Sequence, residues 1–320
     1  MGLDRLLASP RLTVAGFAAL GAGVCAAQAW PALAAWLIAA PLAVLALNLS
    51  AALWVFPRLR RGGLGLFHGC LLACLLLVAW GRLTHFDGHL FIADGQEFDP
   101  AAVETDSRGP WHGDGLQRLA FLQGPYTVTY APGVHRRHTS SRVELPGEGQ
   151  WREIGDDTPM VLDGYRFYTT ANKGFAPVLT WTGAGAPPVT GAIMLPSYPA
   201  NEGQQVHHWK APGGAAWSLA LRTRPLDEAN GWTLAPATTD AVLVAELAGQ
   251  RHELRPGQEV VTAAGVLRYE LLAGWMGYRI FYDPTLVPLL CIALLGVAGL
   301  AWHLWKRVEG LAPALPGAPA

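Results

Sequence analysis

Charge is scarce in this sequence, and cysteine is missing from its polar half. Only 15% of the 320 residues are Asp, Glu, Lys or Arg, while 51% are hydrophobic. That is more apolar side chain than a water-soluble core of this size uses. Lysine occurs only at Lys173, Lys210 and Lys306, and Arg, Ala, Gly and Leu abound, which reflects GC-rich bacterial coding and carries no mechanism. The formal net charge is -1, and no basic stretch is interleaved with aromatics, so nucleic acid is not an expected partner. Cys25, Cys70, Cys74 and Cys291 all lie in apolar runs, so the polar middle of the chain cannot hold a disulfide. With no C-x-x-C, the chain lacks the paired thiols of a disulfide oxidoreductase and the C-x-x-C-H site of covalent haem attachment. G-x-S-x-G, H-E-x-x-H, the Walker loop and the Rossmann fingerprint are also missing, so no catalytic activity of its own is expected.

What the sequence has is long apolar runs. No charged side chain occurs from Thr13 to Phe56, about twice the ~20 residues that one membrane crossing needs. The run must fold back, and Gln28 to Pro31 is the expected turn. Three N-terminal membrane helices are predicted at about 12–28, 32–56 and 64–82, and a fourth at 284–305, each satisfying its own backbone hydrogen bonds as lipid demands. Arg5 and Arg11, then Arg58, Arg60 and Arg61, then Lys306 and Arg307 flank these helices on one side. The positive-inside rule makes that side cytoplasmic, and puts residues 85–283 outside and the tail 306–320 inside. The expected location is the bacterial cytoplasmic (inner) membrane, multi-pass, with the large domain periplasmic. Trp80, Trp275, Tyr278, Phe281 and Tyr282 are expected as an aromatic belt at the outer surface. Met1 to Ala27 also reads as a signal peptide, and Cys25 as a poor lipoprotein anchor because Val24 precedes it.

The outer segment reads as all-β, in a sandwich-like or open barrel-like arrangement. Tyr126–Tyr130, Val161–Thr169, Ala176–Trp181, Trp217–Leu221, Ala241–Leu247 and Val266–Leu272 are short runs bounded by Gly, Pro, Asn or Asp. Gly183–Pro188 is predicted to be a loop and Gly310–Ala320 a disordered tail.

His68 is the first candidate functional residue, because it interrupts an otherwise apolar helix. Ionisable groups at membrane depth usually face protein, water or a ligand, and a neutral imidazole suits haem iron in an apolar slot. The competing reading is an interfacial histidine bonded to a backbone carbonyl. His303 lies at a comparable depth near Trp302 and Trp305, where it is either a headgroup-level residue or a second ligand should the third and fourth helices pack together. No other metal site is expected. Cys70 and Cys74 share a helix face at i, i+4 and are better read as packing residues. His135, His138, His207 and His208 read as solvated loop histidines.

Two segments carry a resemblance: Leu162-Asp-Gly-Tyr-Arg-Phe-Tyr168 with Asn172-Lys-Gly-Phe-Ala-Pro177, and Gly277-Tyr-Arg-Ile-Phe-Tyr-Asp-Pro284. They resemble the ResB (CcsB) family of system II cytochrome c biogenesis proteins, which have three membrane helices, a large extracytoplasmic domain and a final helix. The resemblance implies haem delivery to apocytochrome c together with a CcsA-like haem-handling membrane protein, and an axial ligand role for His68, the haem held here or shared with that partner. The sequence departs from the family in a smaller outer domain and in Thr285, where Gly is more usual. Pro284 supplies a structural reason for the second motif, since it can open the last helix at its first turn. A membrane scaffold or accessory subunit of another respiratory or assembly complex, holding no cofactor, is the alternative.

Overall fold

The structure is a computed structural model and describes residues 3–200, 203–223 and 229–309. A short α1 (Leu3–Leu7) precedes α2 (Pro10–Ala29), α3 (Ala34–Val55) and α4 (Gly62–Thr84), and α5 (Leu286–Glu309) closes the described chain. The last four, α3 with its leading turn from Pro31, are each long and apolar enough to cross a membrane. The protein is therefore membrane-embedded, and the four predicted helices fall within a few residues of these bounds. Residues 310–320, the predicted tail, lie outside the described residues.

The chain divides into two compact units. One contains the helices with residues to Asp87, Ser107–Gly113 and from Tyr282 onward; the other contains Gly88–Asp106 and Asp114–Phe281. In the helical unit, small residues let backbones approach, as in membranes generally. A Cβ on Gly63 of α4 would lie 2.3 Å from the Gly299 carbonyl and 2.6 Å from the His303 nitrogen of α5. Further along, Gly296 meets Cys70, and Gly81 meets Thr285, so α4 and α5 pack antiparallel. Between α2 and α3 the same device serves a special need. Pro41 lies inside α3 and has no N–H to give the Leu37 carbonyl. Gly23 of α2 backs directly onto that oxygen, 2.2 Å from where a Cβ would be.

Polar groups fix both ends of the helical unit. Buried Asn48 of α3 accepts from Thr13 Oγ1 at 2.7 Å and donates to the Ser9 carbonyl at 3.2 Å. Ser9 caps α2, its hydroxyl accepting from the Arg11 N–H, with Pro10 next to it. At the end of α4, the segment Ser107–Gly113 covers carbonyls that a helix terminus leaves orphaned. Trp111 N–H donates to Leu83 O at 2.8 Å, Gly109 N–H to His85 O at 2.9 Å, and His112 Nδ1 to Thr84 O at 2.8 Å. His85 Nδ1 donates to Arg82 O and its Nε2 accepts from Ser107 Oγ at 2.7 Å; burial lowers its pKa and favours this neutral form. The opening of α5 differs from the expected first-turn proline. Pro284 stands two residues before the helix, and Thr285 provides the first helical carbonyl, to Leu289, while its own N–H and hydroxyl bond Asp283. Thr285 suits this place because its hydroxyl packs on Gly81.

The other unit is antiparallel β, with strands numbered along the chain. One sheet runs β2 (Glu104–Arg108), β1 (Phe86–Ala93), β15 (Gly265–Tyr282), β7 (Tyr165–Gly183), β6 (Met160–Leu162), with β14 (Glu259–Thr262) on β15 and β8 (Val189–Ala192) on β7. A second runs β13 (Gln250–Leu254), β12 (Ala241–Leu247), β10 (Ala216–Thr223), β9 (Val206–Lys210). The third runs β11 (Trp232–Leu234), β3 (Leu122–Ala131), β4 (His135–Glu144), β5 (Trp151–Gly155). All six predicted runs lie in strands, but Val161–Thr169 is two strands and not one. Asp163 and Gly164 both have positive φ, 46° and 86°, which is the turn that Asp-Gly favours in a tight hairpin. Of the predicted loop Gly183–Pro188, Gly183 ends β7 and the rest, 184–188, is the turn to β8. His135 and His138 belong to β4 and His207 and His208 to β9, so they are strand residues and not loop residues.

The aromatic belt is corrected in part. Trp275 and Tyr278 are buried in the β unit, Trp275 Nε1 donating to Leu195 O. β15 is buried without a break from Leu272 to Tyr278, so both of its faces are covered and these two residues, three apart and on opposite faces, are both enclosed. Trp80 is exposed as expected.

If the α4–α5 contact depends on the missing side chain of Gly63, Gly63→Leu will lower the melting temperature in detergent by several degrees, the effect of about 1–3 kcal/mol of overpacking. Gly69→Leu, on the same helix but with open space at its Cβ position, will change it little. Equal effects would show that the close approach does not hold the pair.

Candidate functional site

His68 lies on α4, half-buried, with Phe67 edge-on at 5.4 Å. Its Nδ1 is 2.8 Å from the carbonyl of Leu64, one turn back. A carbonyl only accepts, so Nδ1 carries the proton and Nε2 carries the lone pair. This is the backbone-bonded histidine of the simpler reading. It is also the tautomer that a metal-ligating imidazole needs, because the bond on one nitrogen orients the other. Nε2 has no hydrogen bond among the described residues, and nothing lies within 4 Å of a Cβ placed on Gly69 beside it. These features fit a residue that would hold haem iron through Nε2, were haem bound here. Among the described residues no three His, Cys, Asp or Glu side chains are grouped to hold a metal ion.

His303 lies half-buried on α5, its backbone against Gly63. The two helices do pack, yet the packing does not bring the imidazoles together. Gly63, Leu66, Cys70 and Gly81 form the line of α4 that meets α5, and His68 lies roughly 160° around the helix from it at 3.6 residues per turn. Cys70 is buried at Gly296 and Cys74 is half-buried, the packing role expected of them.

The two segments of the family resemblance, about 100 residues apart, come together on neighbouring strands. Thr170 Oγ1 of β7 donates to the Gly277 carbonyl of β15 at 2.9 Å. A Cβ on Gly277 would lie 2.8 Å from the Asn172 carbonyl, and one on Gly174 2.7 Å from Trp275 Nε1, so each glycine admits the opposite strand. Beside them is a buried polar network that sequence reasoning missed. Tyr278 OH donates to Gln123 Oε1 at 2.9 Å and bonds Ser141 Oγ, and Gln123 Nε2 donates to that same Ser141 oxygen. No signal in the sequence marks it, because Gln123, Ser141 and Tyr278 sit on three strands.

Two buried charges were also not anticipated. Lys173 is 2% exposed; its Nζ donates to the Ala171 carbonyl at 3.2 Å and lies 5.9 Å from the centre of the Tyr130 ring. Burial, then the nearby Arg136, pulls its pKa down to about 8. Asp94 accepts from the Gly274 N–H through Oδ2 while its buried Oδ1 has no hydrogen-bond partner among the described residues, and burial raises its pKa to about 6. His89 is different, an exposed pin between β1 and β2. It bonds Asp106 at 3.0 Å and Glu104 at 3.2 Å, and the Asp106 hydrogen bond raises its pKa.

No family model matches the chain, and no curated protein matches it.

Lys173 supplies a test of these energetics. Its folded pKa, about 8, lies below the ordinary 10.5, so between these values the unfolded chain alone binds the proton and stability rises with pH. Below pH 8 the burial cost is fully present. Lys173→Met will therefore stabilise the protein at pH 7, on the order of 2 kcal/mol, and the gain will shrink towards pH 10. Thermal melts of the full chain in detergent at the two pH values measure this, and a pH-independent loss of stability would show that the ammonium is well compensated.

Proposed function

We propose that this protein is a non-catalytic, ResB-like membrane subunit that assists haem delivery to apocytochrome c. The β unit faces the extracytoplasmic side as a platform for apocytochrome and for a CcsA-like partner, and haem is cargo held between this chain and that partner. Support for the orientation comes from charge. Arg11, Arg58, Arg60, Arg61, Lys306 and Arg307 lie at one end of the helices, while Arg82 and Arg108 lie at the other, the asymmetry that sets topology in bacterial membranes.

The observation that carries the haem reading is the His68 imidazole, with Nδ1 committed to Leu64 and Nε2 turned over for a metal. Bound haem would supply the iron that accepts this nitrogen. The chain contributes position: a membrane helix holds the ring at a fixed depth, the carbonyl bond fixes its tautomer, and Gly69 keeps the neighbouring surface low. A second reading, a scaffold without cofactor, draws on the same bond, because a histidine bonded to its own helix needs no ligand.

Co-expressed with a CcsA-like partner and purified in detergent, the protein should show a Soret band that His68→Ala reduces strongly at equal expression, and that added imidazole partly restores. A wild-type complex free of haem would favour the scaffold reading, and a band indifferent to the substitution would make His68 an ordinary interfacial histidine. A periplasmic reporter inserted after Gln150 should be active, and a cytoplasmic reporter at the same place inactive. The reverse pattern would invert the topology.

A further inference from the structure

We infer that the segment Ser107–Gly113 is a membrane-surface contact, with Trp111 seated in the headgroup layer of the bilayer beside the helices. The inference rests on the helices spanning a bilayer and is independent of any role for His68.

Three observations converge on lipid as the occupant. The first is placement. Ser107–Gly113 comes from the polar middle of the sequence, yet it belongs to the helical unit. Trp111 lies against Trp36 at the start of α3 and Trp80 near the end of α4, with ring centres 6.0 and 5.8 Å apart. Both neighbours sit on membrane helices, close to the ends, where tryptophan marks the boundary between hydrocarbon and headgroups.

The second is exposure. Trp36, Trp80 and Trp111 are 45%, 51% and 53% exposed, and Trp30, one turn outside α3, is more so. Trp111 stands edge-on to Trp36 and tilted on Trp80, and rings in such contact normally close into a core. Here they form an open apolar patch continuous with the lipid-facing sides of α3 and α4, which identifies its cover as the same bilayer.

The third is the backbone, which has been made fit for a water-poor layer. Non-helical chain is tolerated at membrane depth only when its polar groups are satisfied within the protein. Gly109 N–H donates to His85 O, Trp111 N–H to Leu83 O and His112 N–H to Gly109 O, while Pro110 has no N–H. Four consecutive residues therefore present no free amide hydrogen. The His112 carbonyl accepts from Arg108 at 3.1 Å. Gly109 is required here, since a Cβ would lie 2.3 Å from the Leu83 carbonyl.

Spin labels test the inference on the full chain in phosphatidylcholine nanodiscs. In a background with Cys25, Cys70, Cys74 and Cys291 replaced by Ala, single labels are placed by Trp111→Cys and by Pro110→Cys, the second keeping Trp111 itself. Leu294→Cys, on an exposed site midway along α5, and Val261→Cys, on an exposed site of the β unit, give the lipid and water references. Collision with oxygen relative to a water-soluble nickel chelate should be severalfold higher at 110 and 111 than at 261, and lower than at 294. Labels at 110 and 111 that match 261 would overturn the inference while leaving the spans intact. Labels shielded from both reagents would overturn it in favour of a protein cover. If the label at 294 also matched 261, the spanning reading itself would fail.

Discussion

A backbone polar group left without a partner in hydrocarbon costs several kcal/mol, and this requirement explains more of the helical unit than any side-chain contact does. Where Pro41 withholds a hydrogen from Leu37, a glycine of the next helix is brought against the freed oxygen. Where α4 ends, a distant loop returns to bond Leu83, Thr84 and His85. The Leu64 carbonyl receives a second neighbour in His68. Glycine appears at these places because a backbone can serve another backbone only when no Cβ separates them.

The β unit also accepts polar groups inside, and in its core one set is closed on itself. Gln123, Ser141 and Tyr278 satisfy each other across β3, β4 and β15, an arrangement that fixes register because a one-residue slip would leave several buried atoms unpaired. Lys173 and Asp94 depart from this pattern. Each keeps one backbone partner and a perturbed protonation equilibrium, so a part of the folding energy is held against the fold near neutral pH.

The helices were legible in the sequence because hydropathy over ~20 residues integrates many weak signals, and the six strand runs because alternation and turn residues coincide. The Asp163-Gly164 turn stands in the sequence, but the run from Val161 to Thr169 reads across it as one strand. Other features were out of reach for a definite reason. The loop that caps α4 depends on Gly109 meeting Leu83, and the core network joins residues up to 155 positions apart; neither leaves a local pattern. Trp275 and Tyr278 show the cost of reading nearness along the chain as nearness in space. His68 was singled out from its type and depth alone, and the structure adds the tautomer, which sequence does not encode.

The central sheet also fixes the order in which this protein can be completed. Its strand β15 pairs with β1 and β7, and the bonds between Asp94 and Gly274 span 180 residues. Contacts so distant form slowly, because the intervening loop must be closed first. During synthesis, β1 leaves the ribosome soon after α4 and waits with an unpaired edge until nearly the whole β unit has followed. Only then does β15 arrive, and α5 comes directly behind it. The interval between these two strands is the time when the nascent chain most needs protection from pairing with another.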